Sequence, residues 1–278
     1  MRKKTRADQL LYEQGLAESR EQAKRLIMAG RVHFAQEPAV PPVYEPDGLF
    51  PSVQGLPGMR VDKPGRLFPS DTRFAVTPGE RFVGRGAYKL LTAIEHFSLD
   101  VTGFVILDAG ASTGGFTDCL LQHGAARVYA ADVGRNQLHE RLRADARVIP
   151  LEGVNLRLAD ASLVPEDLDM VTADLSFISL TLVLGPCTRR LKNNGLLVAL
   201  IKPQFEAGPG ATVRGVVRDP AVRDAAVDKV LAFARDTLDM QLMGVVPSAL
   251  KGAEGNQEYM VVWRKNARFN LHPALPAG

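Results

Sequence analysis

The sequence predicts a Rossmann-like α/β domain with a mostly parallel sheet, preceded by a small basic α+β domain. From about residue 84, apolar strand-like segments alternate with amphipathic helical segments, which is typical of a parallel sheet. Residues 1–35 differ, because they hold eight Lys/Arg against four Asp/Glu in a chain whose net charge is only +3. We expect the small domain over 1–67, a linker over 68–83, the sheet domain over 84–266 and a loose tail over 267–278.

The small domain is predicted to start with two short helices. Thr5 and Asp8 form a capping-box pattern before the first helix, and Ser19 opens the second. A strand-like segment, 31–34, follows, and 61–65 is expected to be the turn and return of the same small sheet. The predicted order of elements in this domain is therefore helix, helix, strand and turn.

A basic module on a nearly neutral body is typical of a polyanion-binding attachment, although an ordinary solvated face has the same composition. The side chains that we expect to contact a polyanion are Arg6, Arg20, Lys24, Arg25, Arg31, Arg85 and Arg218.

Composition excludes several classes of protein. Cys119 and Cys187 are far apart and lack partners at metal-ligand spacing, so we expect core thiols and neither a disulfide framework nor a zinc site. No apolar run approaches membrane-spanning length and the start lacks an export signal, which predicts a soluble cytoplasmic protein. Residues 36–59 hold six prolines, so they are expected to form an extruded polyproline loop or an insertion without a role.

Seven strands are expected in the sheet domain, and the last two are too close together for a crossover helix. This spacing predicts five βα units followed by an antiparallel hairpin, an arrangement that resembles the architecture of class I methyltransferases. The predicted strands are 104–109, 127–132, 147–151, 169–174, 195–201, 240–246 and 257–264.

A glycine-rich loop follows the first of these strands and opens a helix, where doubly wound sheets bind their ligands. A phosphate-binding P-loop needs Lys after its last glycine, and Phe116 stands there. A dinucleotide loop needs a second glycine where Ser112 stands. The remaining pattern, Asp-x-Gly-x-x-x-Gly-Gly from Asp108, resembles the S-adenosylmethionine loop of methyltransferases. We therefore expect S-adenosylmethionine as the cofactor.

Two acidic strand ends suit the chemistry of this cofactor. Asp108 is expected to face its ammonium and sulfonium groups, and Asp132 to accept hydrogen bonds from both ribose hydroxyls. Asn155 is expected to contact the adenine edge, with Asp160 as a rival. The complete set of expected cofactor contacts is Asp108, Gly110, Ser112, Gly114, Gly115, Phe116, Asp132, Asn155 and Asp174.

Two lysines and two acids are predicted to converge beside the cofactor. Asp174 and Lys202 end parallel strands, whose carboxyl ends share one edge of the sheet. Glu258 begins a strand that is expected to run antiparallel, so it should lie on the same edge. Lys89 can reach this edge from the helix that leads into the first strand.

Four segments carry a specific resemblance. GRGAYKL, ADLSFISL, IKPQFE and GNQEYMVV are similar to the segments that hold the Lys-Asp-Lys-Glu tetrad of FtsJ-like ribose 2′-O-methyltransferases. The segment GLAESREQAKRLIMAGRV resembles the RNA-binding domain named for ribosomal protein S-four, which narrows the resemblance to the TlyA (hemolysin A-type) branch. The resemblance covers nearly the whole chain apart from the insertion and the tail.

This resemblance implies catalytic roles for the tetrad and methylation of a cytidine 2′-hydroxyl in ribosomal RNA. It also implies that the basic side chains named above are RNA-binding. The catalytic residues would be Lys89, Asp174, Lys202 and Glu258. Residues 215–219 match the family's loop after the fifth strand, so they either cover the RNA or form an ordinary surface loop.

The tetrad leaves two mechanisms open. A ribose 2′-hydroxyl is a poor nucleophile until its proton is removed, and lysine can remove that proton only when neutral. Lys202 either acts as this base, which we favour, or stays charged and stabilises a developing alkoxide. Two other functions are alternatives: an RNA-binding ribosome-assembly factor without catalysis, and a membrane-lytic hemolysin.

Overall fold

The computed structural model describes residues 4–34, 59–77, 81–208 and 210–267. These residues form two compact units, divided between Arg81 and Phe82. Nearly all of the expected proline-rich insertion and of the expected tail lies outside the described residues.

The N-terminal unit combines two short helices with two small antiparallel sheets. Its elements are β1 (Lys4–Arg6), α1 (Ala7–Glu13), α2 (Arg20–Met28), β2 (Val32–Phe34), β3 (Met59–Arg60), β4 (Leu67–Pro69) and β5 (Phe74–Val76). One sheet pairs β1 with β4, and the other has the order β3-β2-β5. Helix α2 begins as predicted, because the Ser19 hydroxyl accepts a hydrogen bond from the backbone N–H of Gln22. Leu11, Ile27 and Phe68 belong to the apolar core of this unit.

The start of this unit differs from the capping box that we expected at Thr5 and Asp8. Thr5 lies in β1 opposite Phe68, so it does not cap α1. The buried Asp8 carboxylate accepts two hydrogen bonds from Arg6, at 2.8 and 2.9 Å, and Arg20 lies 3.5 Å from it. The hydrogen bonds from Arg6 lower the pKa of Asp8. Bidentate pairing with an arginine therefore replaces the predicted cap.

Part of the expected linker, 68–83, is regular structure. β4 pairs with β1, and β5 pairs with β2, so both strands belong to the N-terminal unit. The return strand of the small sheet is β3, and 61–66 forms the turn that leads to the other sheet. Strands of two or three residues have too little alternation to be recognised from sequence, which explains the difference.

The C-terminal unit is built on a seven-stranded sheet. Its main elements are α3 (Gly86–His96), β6 (Val105–Ala109), α4 (Gly115–Gln122), β7 (Arg127–Asp132), α5 (Glu140–Arg143), β8 (Val148–Glu152), β9 (Leu168–Ala173), α6 (Leu184–Cys187), β10 (Leu191–Ile201), α7 (Pro203–Glu206), α8 (Pro220–Leu238), β11 (Met240–Pro247) and β12 (Tyr259–Lys265). The strand order is β11-β12-β10-β9-β6-β7-β8. The last strand, β12, runs antiparallel to both β10 and β11, whereas the other neighbours are parallel. The predicted fold class is confirmed.

The crossovers are less regular than the five βα units that we predicted. No helix lies between β8 and β9 in 153–167, which the structure describes completely. The link from β9 to β10 holds only a 3-10 turn, Leu180–Leu182, and the four-residue α6. Irregular chain therefore follows β8 and β9 at the edge of the sheet where ligands bind in this architecture.

Apolar side chains cover both faces of the sheet. Leu197 and Val198 are neighbours in β10 and belong to opposite layers, as the two-residue period of a strand requires. Cys119 and Cys187 are buried in these layers, as expected for core thiols, and burial raises the pKa of Cys187 to about 12. Among the described helices, none has the length and apolar character needed to cross a membrane.

Candidate active site

The carboxyl ends of the parallel strands meet at one edge of the sheet, and a cavity of about 500 Å³ opens there. Lys202 directly follows β10. Glu258 precedes β12, whose first residue, Tyr259, pairs with Ile201, so the antiparallel direction brings Glu258 beside Lys202. The cavity is lined by five residues that the sequence analysis selected: Gly110, Ser112, Asp132, Asn155 and Asp174.

The loop between β6 and α4 requires glycine at two positions. Gly110 has a φ of +86°, and a Cβ there would lie 2.5 Å from the backbone oxygen of Asp174. Gly114 has a φ of +96°, and a Cβ there would collide with the side chain of Leu142. Only glycine combines this backbone conformation with such close packing. The loop is therefore held tightly against the chain that follows β9 and against α5.

Asp132 holds this loop from the end of β7. Its Oδ2 accepts a hydrogen bond from the backbone N–H of Ser112 at 2.8 Å, and its Oδ1 accepts one from Gly134 at 2.7 Å. Each carboxylate oxygen has two lone pairs, so each can accept one further hydrogen bond. The half-buried carboxylate can therefore receive two hydroxyl groups of a ligand in the cavity.

Asp108 does not face the cavity, contrary to our expectation. Its register pairs it with Thr172 in β9, and its fully buried carboxylate accepts hydrogen bonds from the hydroxyls of Thr117, at 2.7 Å, and Thr172, at 2.9 Å. Burial raises the pKa of Asp108 to about 6. Asp108 thus links β6, β9 and α4 beneath the loop and is not part of the cavity lining.

Three other expected contacts, Gly114, Gly115 and Phe116, are not in the cavity lining either. Phe116 is buried in the core. A Cβ on Gly115 would lie 3.0 Å from the backbone nitrogen of Ala87 and 3.4 Å from the oxygen of Gly84. The glycine loop therefore packs closely against the start of α3, the helix that carries Lys89.

Asn155 and Asp160, the two candidates for the contact with adenine, have different positions relative to the cavity. Asn155 lines the cavity after β8, and its Oδ1 accepts a hydrogen bond from the backbone N–H of Arg157. Asp160 lies outside this lining, and hydrogen bonds from Ser162 lower the pKa of its carboxyl. Of the two, Asn155 is the residue placed to contact a ligand.

Lys202 and Asp174 form the first lysine–carboxylate pair at the cavity. The Lys202 Nζ lies 2.7 Å from Asp174 Oδ1 and donates a hydrogen bond to the Ser176 hydroxyl at 2.8 Å. Only 11% of the Lys202 side chain is exposed. The amine is therefore fixed by two oxygen atoms in a site that excludes most water.

Lys89 and Glu258 form the second pair. The Lys89 Nζ donates a hydrogen bond to Glu258 Oε2 at 2.5 Å, and the Gln204 Nε2 donates one to Glu258 Oε1 at 3.1 Å. The Glu258 side chain is almost completely buried. Each of its carboxylate oxygens therefore has one donor from a different helix.

The two pairs lie at the same end of α3. Helix α3 begins at Gly86, where an added Cβ would lie 3.7 Å from Asp174 Oδ2, and Lys89 stands three residues further along the same helix. The four residues of the predicted tetrad are thus brought together around the first turn of α3. This convergence follows from the strand order, because β9, β10 and β12 are neighbours in the sheet.

Several residues of the site were not selected from the sequence. Ser176, Phe177 and Arg157 line the first cavity, and Phe177, Arg157 and Gln204 also line an adjoining cavity of about 580 Å³. Phe177 is 90% exposed with a φ of +64°, an unusual backbone conformation for a bulky residue. Ser176 and Gln204 each stand two residues after a predicted tetrad member, Asp174 or Lys202, which is the signal that could have identified them.

The expected RNA contacts of the N-terminal unit differ in their surroundings. Arg6 and Arg20 pair with Asp8, and Lys24 pairs with Glu21. Arg31 donates a hydrogen bond to the backbone oxygen of Thr77. The exposed Arg25 has no side-chain hydrogen bond or ion pair with the part of the chain that the structure describes.

Arg85 and Arg218 are both exposed in the C-terminal unit. Arg218 belongs to the loop 215–219, which Asn256 holds: its Nδ2 donates to the oxygen of Gly215 and its Oδ1 accepts from the N–H of Val217. The loop ends at Asp219, which caps α8 through the N–H of Ala221. This loop is therefore an ordered segment attached to the chain just before Glu258.

The strand order, with the last strand inserted antiparallel between β10 and β11, is the class I methyltransferase fold. S-adenosylmethionine is the cofactor of such enzymes. The volume of the cavity is within the range that is usual for sites that bind small molecules of this kind. An acid at the end of β7 suits ribose hydroxyls. The chain is therefore an S-adenosylmethionine-dependent methyltransferase.

Comparison with known proteins defines the family. Residues 82–265 match the FtsJ-like methyltransferase family, and residues 5–39 match the S4 domain. The chain is 42% identical over 264 residues to the 16S/23S rRNA (cytidine-2′-O)-methyltransferase TlyA of Mycobacterium tuberculosis, covering 94% of this chain and 90% of that protein. It is 33% identical over 257 residues to Hemolysin A of Brachyspira hyodysenteriae, covering 92% and 98%. The chain belongs to the FtsJ-like methyltransferase family, in its TlyA (hemolysin A-type) branch.

A solved structure from Streptococcus thermophilus, described as a hemolysin candidate, is also similar. Its TM-score is 0.65 at 38% identity, and the match covers 96% of this chain and 90% of that one. The similarity thus includes both units of the chain.

Proposed function

We propose that this protein methylates the 2′-hydroxyl of a cytidine in ribosomal RNA. The observation that carries the proposal is the pair of nearly buried lysines, Lys89 and Lys202, each held by a carboxylate beside the cofactor cavity. A relative of the same branch is named as an rRNA (cytidine-2′-O)-methyltransferase, and the arrangement here suits the removal of a hydroxyl proton.

In this proposal, different residues of the cavity contact different parts of the cofactor. When bound, S-adenosylmethionine supplies an electrophilic methyl group. Asp132 would accept hydrogen bonds from the ribose hydroxyls, Asn155 would contact the adenine edge, and Gly110 with Ser112 would lie along the rest of the molecule. The carboxylate of Asp174 would be the acidic group nearest to the cationic end, a role that we had expected Asp108 to have.

Lys202 is the proposed general base. Its neutral Nζ would take the proton of the ribose 2′-hydroxyl, which makes that oxygen a nucleophile. Asp174 and Ser176 fix the position of the amine, and the Asp174 carboxylate would then stabilise the ammonium that forms. If Lys202 instead stays charged and only stabilises the alkoxide, the Lys202→Arg variant should keep appreciable activity.

Lys89 has a different part in this proposal. Its amine is engaged by the buried Glu258, so it would hold the ribose by donating a hydrogen bond to a hydroxyl oxygen. A ribose fixed by Lys89 presents its 2′-oxygen to Lys202, and fixed alignment of reacting groups is a large part of catalysis. The two lysines would therefore act as a positioning group and a base.

The N-terminal unit would bind the RNA backbone. It matches the S4 domain, and Arg25 and the arginines around Asp8 keep much of their surface exposed. Positively charged side chains that contact phosphates release counterions, which makes RNA affinity depend on salt. We propose the cytoplasm as the location because ribosomal RNA is the substrate.

Methyl transfer to ribosomal RNA tests this proposal directly. Ribosomal subunits that lack the modification are incubated with the protein and S-adenosylmethionine, and the RNA is digested to nucleosides for mass spectrometry. We expect one new 2′-O-methylcytidine. A methyl group on a base would contradict the ribose assignment. RNA binding without any methyl transfer would instead favour an assembly factor that lacks catalysis.

A further inference from the structure

We propose that Gln204 is a positioning residue of the methyl-transfer site, which orients the carboxylate of Glu258 toward Lys89. The inference deepens the proposed function and rests on it. Gln204 was not among the predicted site residues, and it contacts the tetrad from a helix that already carries one of its members at its start.

The contact with Glu258 sets the orientation of Gln204. A carboxylate can only accept hydrogen bonds, so the Gln204 amide must direct its NH₂ group to Glu258 Oε1. Lys89 occupies the other oxygen, Oε2. The two donors therefore hold the carboxylate from both sides and fix its plane.

The surroundings of Glu258 make this second donor important. The side chain is buried, and a Cβ on Gly252 would collide with its carboxylate, so the backbone packs directly on it. Water has little access to replace a lost donor. Removing one partner of a buried charged group costs more than removing an exposed one, because the remaining group stays unsatisfied.

Gln204 also joins the two lysine–carboxylate pairs. Lys202 is the N-cap of α7, and Gln204 is the second residue of that helix, directly after Pro203. One short helix therefore fixes the amine that would act as base and the amide that holds Glu258. A change at Gln204 should alter the alignment of the two pairs and leave the cofactor cavity, which it does not line, unchanged.

The carbonyl oxygen of Gln204 supports a functional role. Gln204 Oε1 is buried and has no hydrogen-bond partner among the described residues. An unsatisfied buried acceptor costs stability, and such a cost is often retained at functional sites. An apolar side chain would avoid it, so the amide is better explained by what its NH₂ group does for Glu258.

The first test replaces Gln204 with leucine, which has similar bulk and no donor. We expect the single-turnover methyl-transfer rate to fall on the order of ten- to a hundredfold, the value of one hydrogen bond to a charged group. Affinity for S-adenosylmethionine, measured by calorimetry, should not change. The matched control is Gln241→Leu on the exposed face of β11, which should behave as wild type.

The second test is Q204E, which separates positioning from a merely structural role. Below the pKa of the introduced carboxyl, its O–H can donate to Glu258 as the amide did. Two carboxylates in contact cannot easily both ionise, so this pKa is raised. The rate of Q204E relative to wild type should therefore be highest at low pH and decrease as the pH rises from about 6 to about 9. Q241E is the control and should show the pH profile of wild type.

The cofactor-free protein provides a readout that does not depend on activity. The melting temperature of Q204E should decrease with rising pH relative to that of Q241E, because folding then requires two adjacent carboxylates to ionise. A wild-type rate for Q204L, or parallel pH profiles for Q204E and Q241E, would overturn the role of Gln204 alone. A wild-type protein that transfers no methyl group to ribosomal RNA would overturn the proposed function as well.

Discussion

The Asp8 cluster of the N-terminal unit and the tetrad of the C-terminal unit bury charged groups in different ways. In the N-terminal unit, Asp8 is buried while the side chains of Arg6 and Arg20 remain 47% and 50% exposed. In the tetrad, Lys89 and Lys202 are themselves largely buried, at 14% and 11% exposure. Exposed cations can contact the phosphates of a polyanion, whereas buried amines can exchange a proton with a substrate away from water. We therefore expect the exposed arginines around Asp8 to contact RNA and the buried lysines of the tetrad to take part in the chemistry.

Each unit also has one fully buried aspartate, and the two behave in opposite ways. The hydrogen bonds from Arg6 lower the pKa of Asp8. Burial raises the pKa of Asp108 to about 6, and the hydrogen bonds from the neutral hydroxyls of Thr117 and Thr172 offset only part of this effect. For Asp8 the arginine hydrogen bonds therefore outweigh the effect of burial, whereas for Asp108 burial outweighs the two threonine hydrogen bonds.

The largest effect is expected at Lys202. Replacing it with Met removes both charge and base while keeping an apolar stem, and turnover should fall about a hundredfold or more, the range of acid–base catalysis. Affinity for S-adenosylmethionine should survive. The matched control is Lys192→Met, which breaks a half-exposed pair with Asp169 and should leave turnover unchanged. Equal rates for the Lys202→Met variant and wild type would remove Lys202 from the chemistry.

Arginine at the same position separates the two mechanisms. Lys202→Arg keeps the positive charge but cannot supply a neutral base, since guanidinium stays protonated at every relevant pH. If Lys202 is the base, the arginine variant should be as slow as the methionine variant, and the rise of the rate with pH should disappear. Appreciable activity in the arginine variant would favour stabilisation of the alkoxide.

The next largest effect is expected at Asp132, where the charge faces the cavity. Asp132→Ala should weaken S-adenosylmethionine binding by roughly 1.5 to 3 kcal/mol, the value of hydrogen bonds to a charged acceptor. RNA affinity should barely change. Asp160→Ala, outside the cavity lining, is the control for calorimetry. Unchanged cofactor affinity in the Asp132 variant would show that this acid does not hold the ribose.

The two buried aspartates should give opposite pH dependences of stability. The lowered pKa of Asp8 means that its contribution is present above its unfolded pKa and is lost as the pH falls. The raised pKa of Asp108 means that stability is lost as the pH rises through about 6. We therefore expect Asp8→Asn to lose stability relative to wild type at neutral pH.

For Asp108→Asn we expect the reverse. The free energy of unfolding of the variant should increase relative to that of wild type between about pH 4 and 6. The difference should be at most about 2 to 3 kcal/mol, because the pKa of Asp108 is raised by about two units and this shift corresponds to that free energy. The threonine hydroxyls can rotate to accept from the new amide. Melting temperatures measured across this pH range test both variants, and parallel curves would mean that the two carboxylates do not differ.

The smallest effect is expected on the exposed cations of the N-terminal unit. Arg25→Gln should weaken the binding of RNA a few-fold, whatever the RNA sequence. It should also reduce the slope of log affinity against log salt concentration by about one, as expected for the loss of one phosphate contact. Methyl transfer at saturating RNA should not change. Arg235→Gln, an equally large charge change at an exposed position of α8, is the control. Equal salt slopes for both variants would mean that Arg25 does not contact the RNA.

Much of the fold was predictable because its signals are local. The alternation of apolar segments with amphipathic helical segments identified all seven strands of the large sheet, and the short link between β11 and β12 predicted the antiparallel pair. The N-terminal unit was harder, because β3, β4 and β5 are only two or three residues long. Strands this short are defined by their pairing partners and not by their own pattern.

The candidate site was predictable to the extent that strand ends determine position. Asp132 ends β7, and Asp174 and Lys202 directly follow β9 and β10. These are parallel strands of one sheet, so topology alone brings the three residues to one edge. The direction of a side chain at that edge was not predictable. Asp108 and Asp132 have similar local sequence contexts, yet Asp108 is directed to Thr172 inside the sheet and Asp132 to the cavity.

The sequence by itself determined the two-part organisation, the class I fold, the glycine loop and, through the family resemblance, the four residues of the tetrad, because each depends on residue type and spacing along the chain. Only the tertiary structure decided the partners: Lys202 with Asp174, Lys89 with Glu258, and Gln204 as the second donor to Glu258. These contacts join positions up to 169 residues apart. Hydrogen bonds and ion pairs act over a few ångströms in space, so their partners are known only once strand pairing has brought distant segments together.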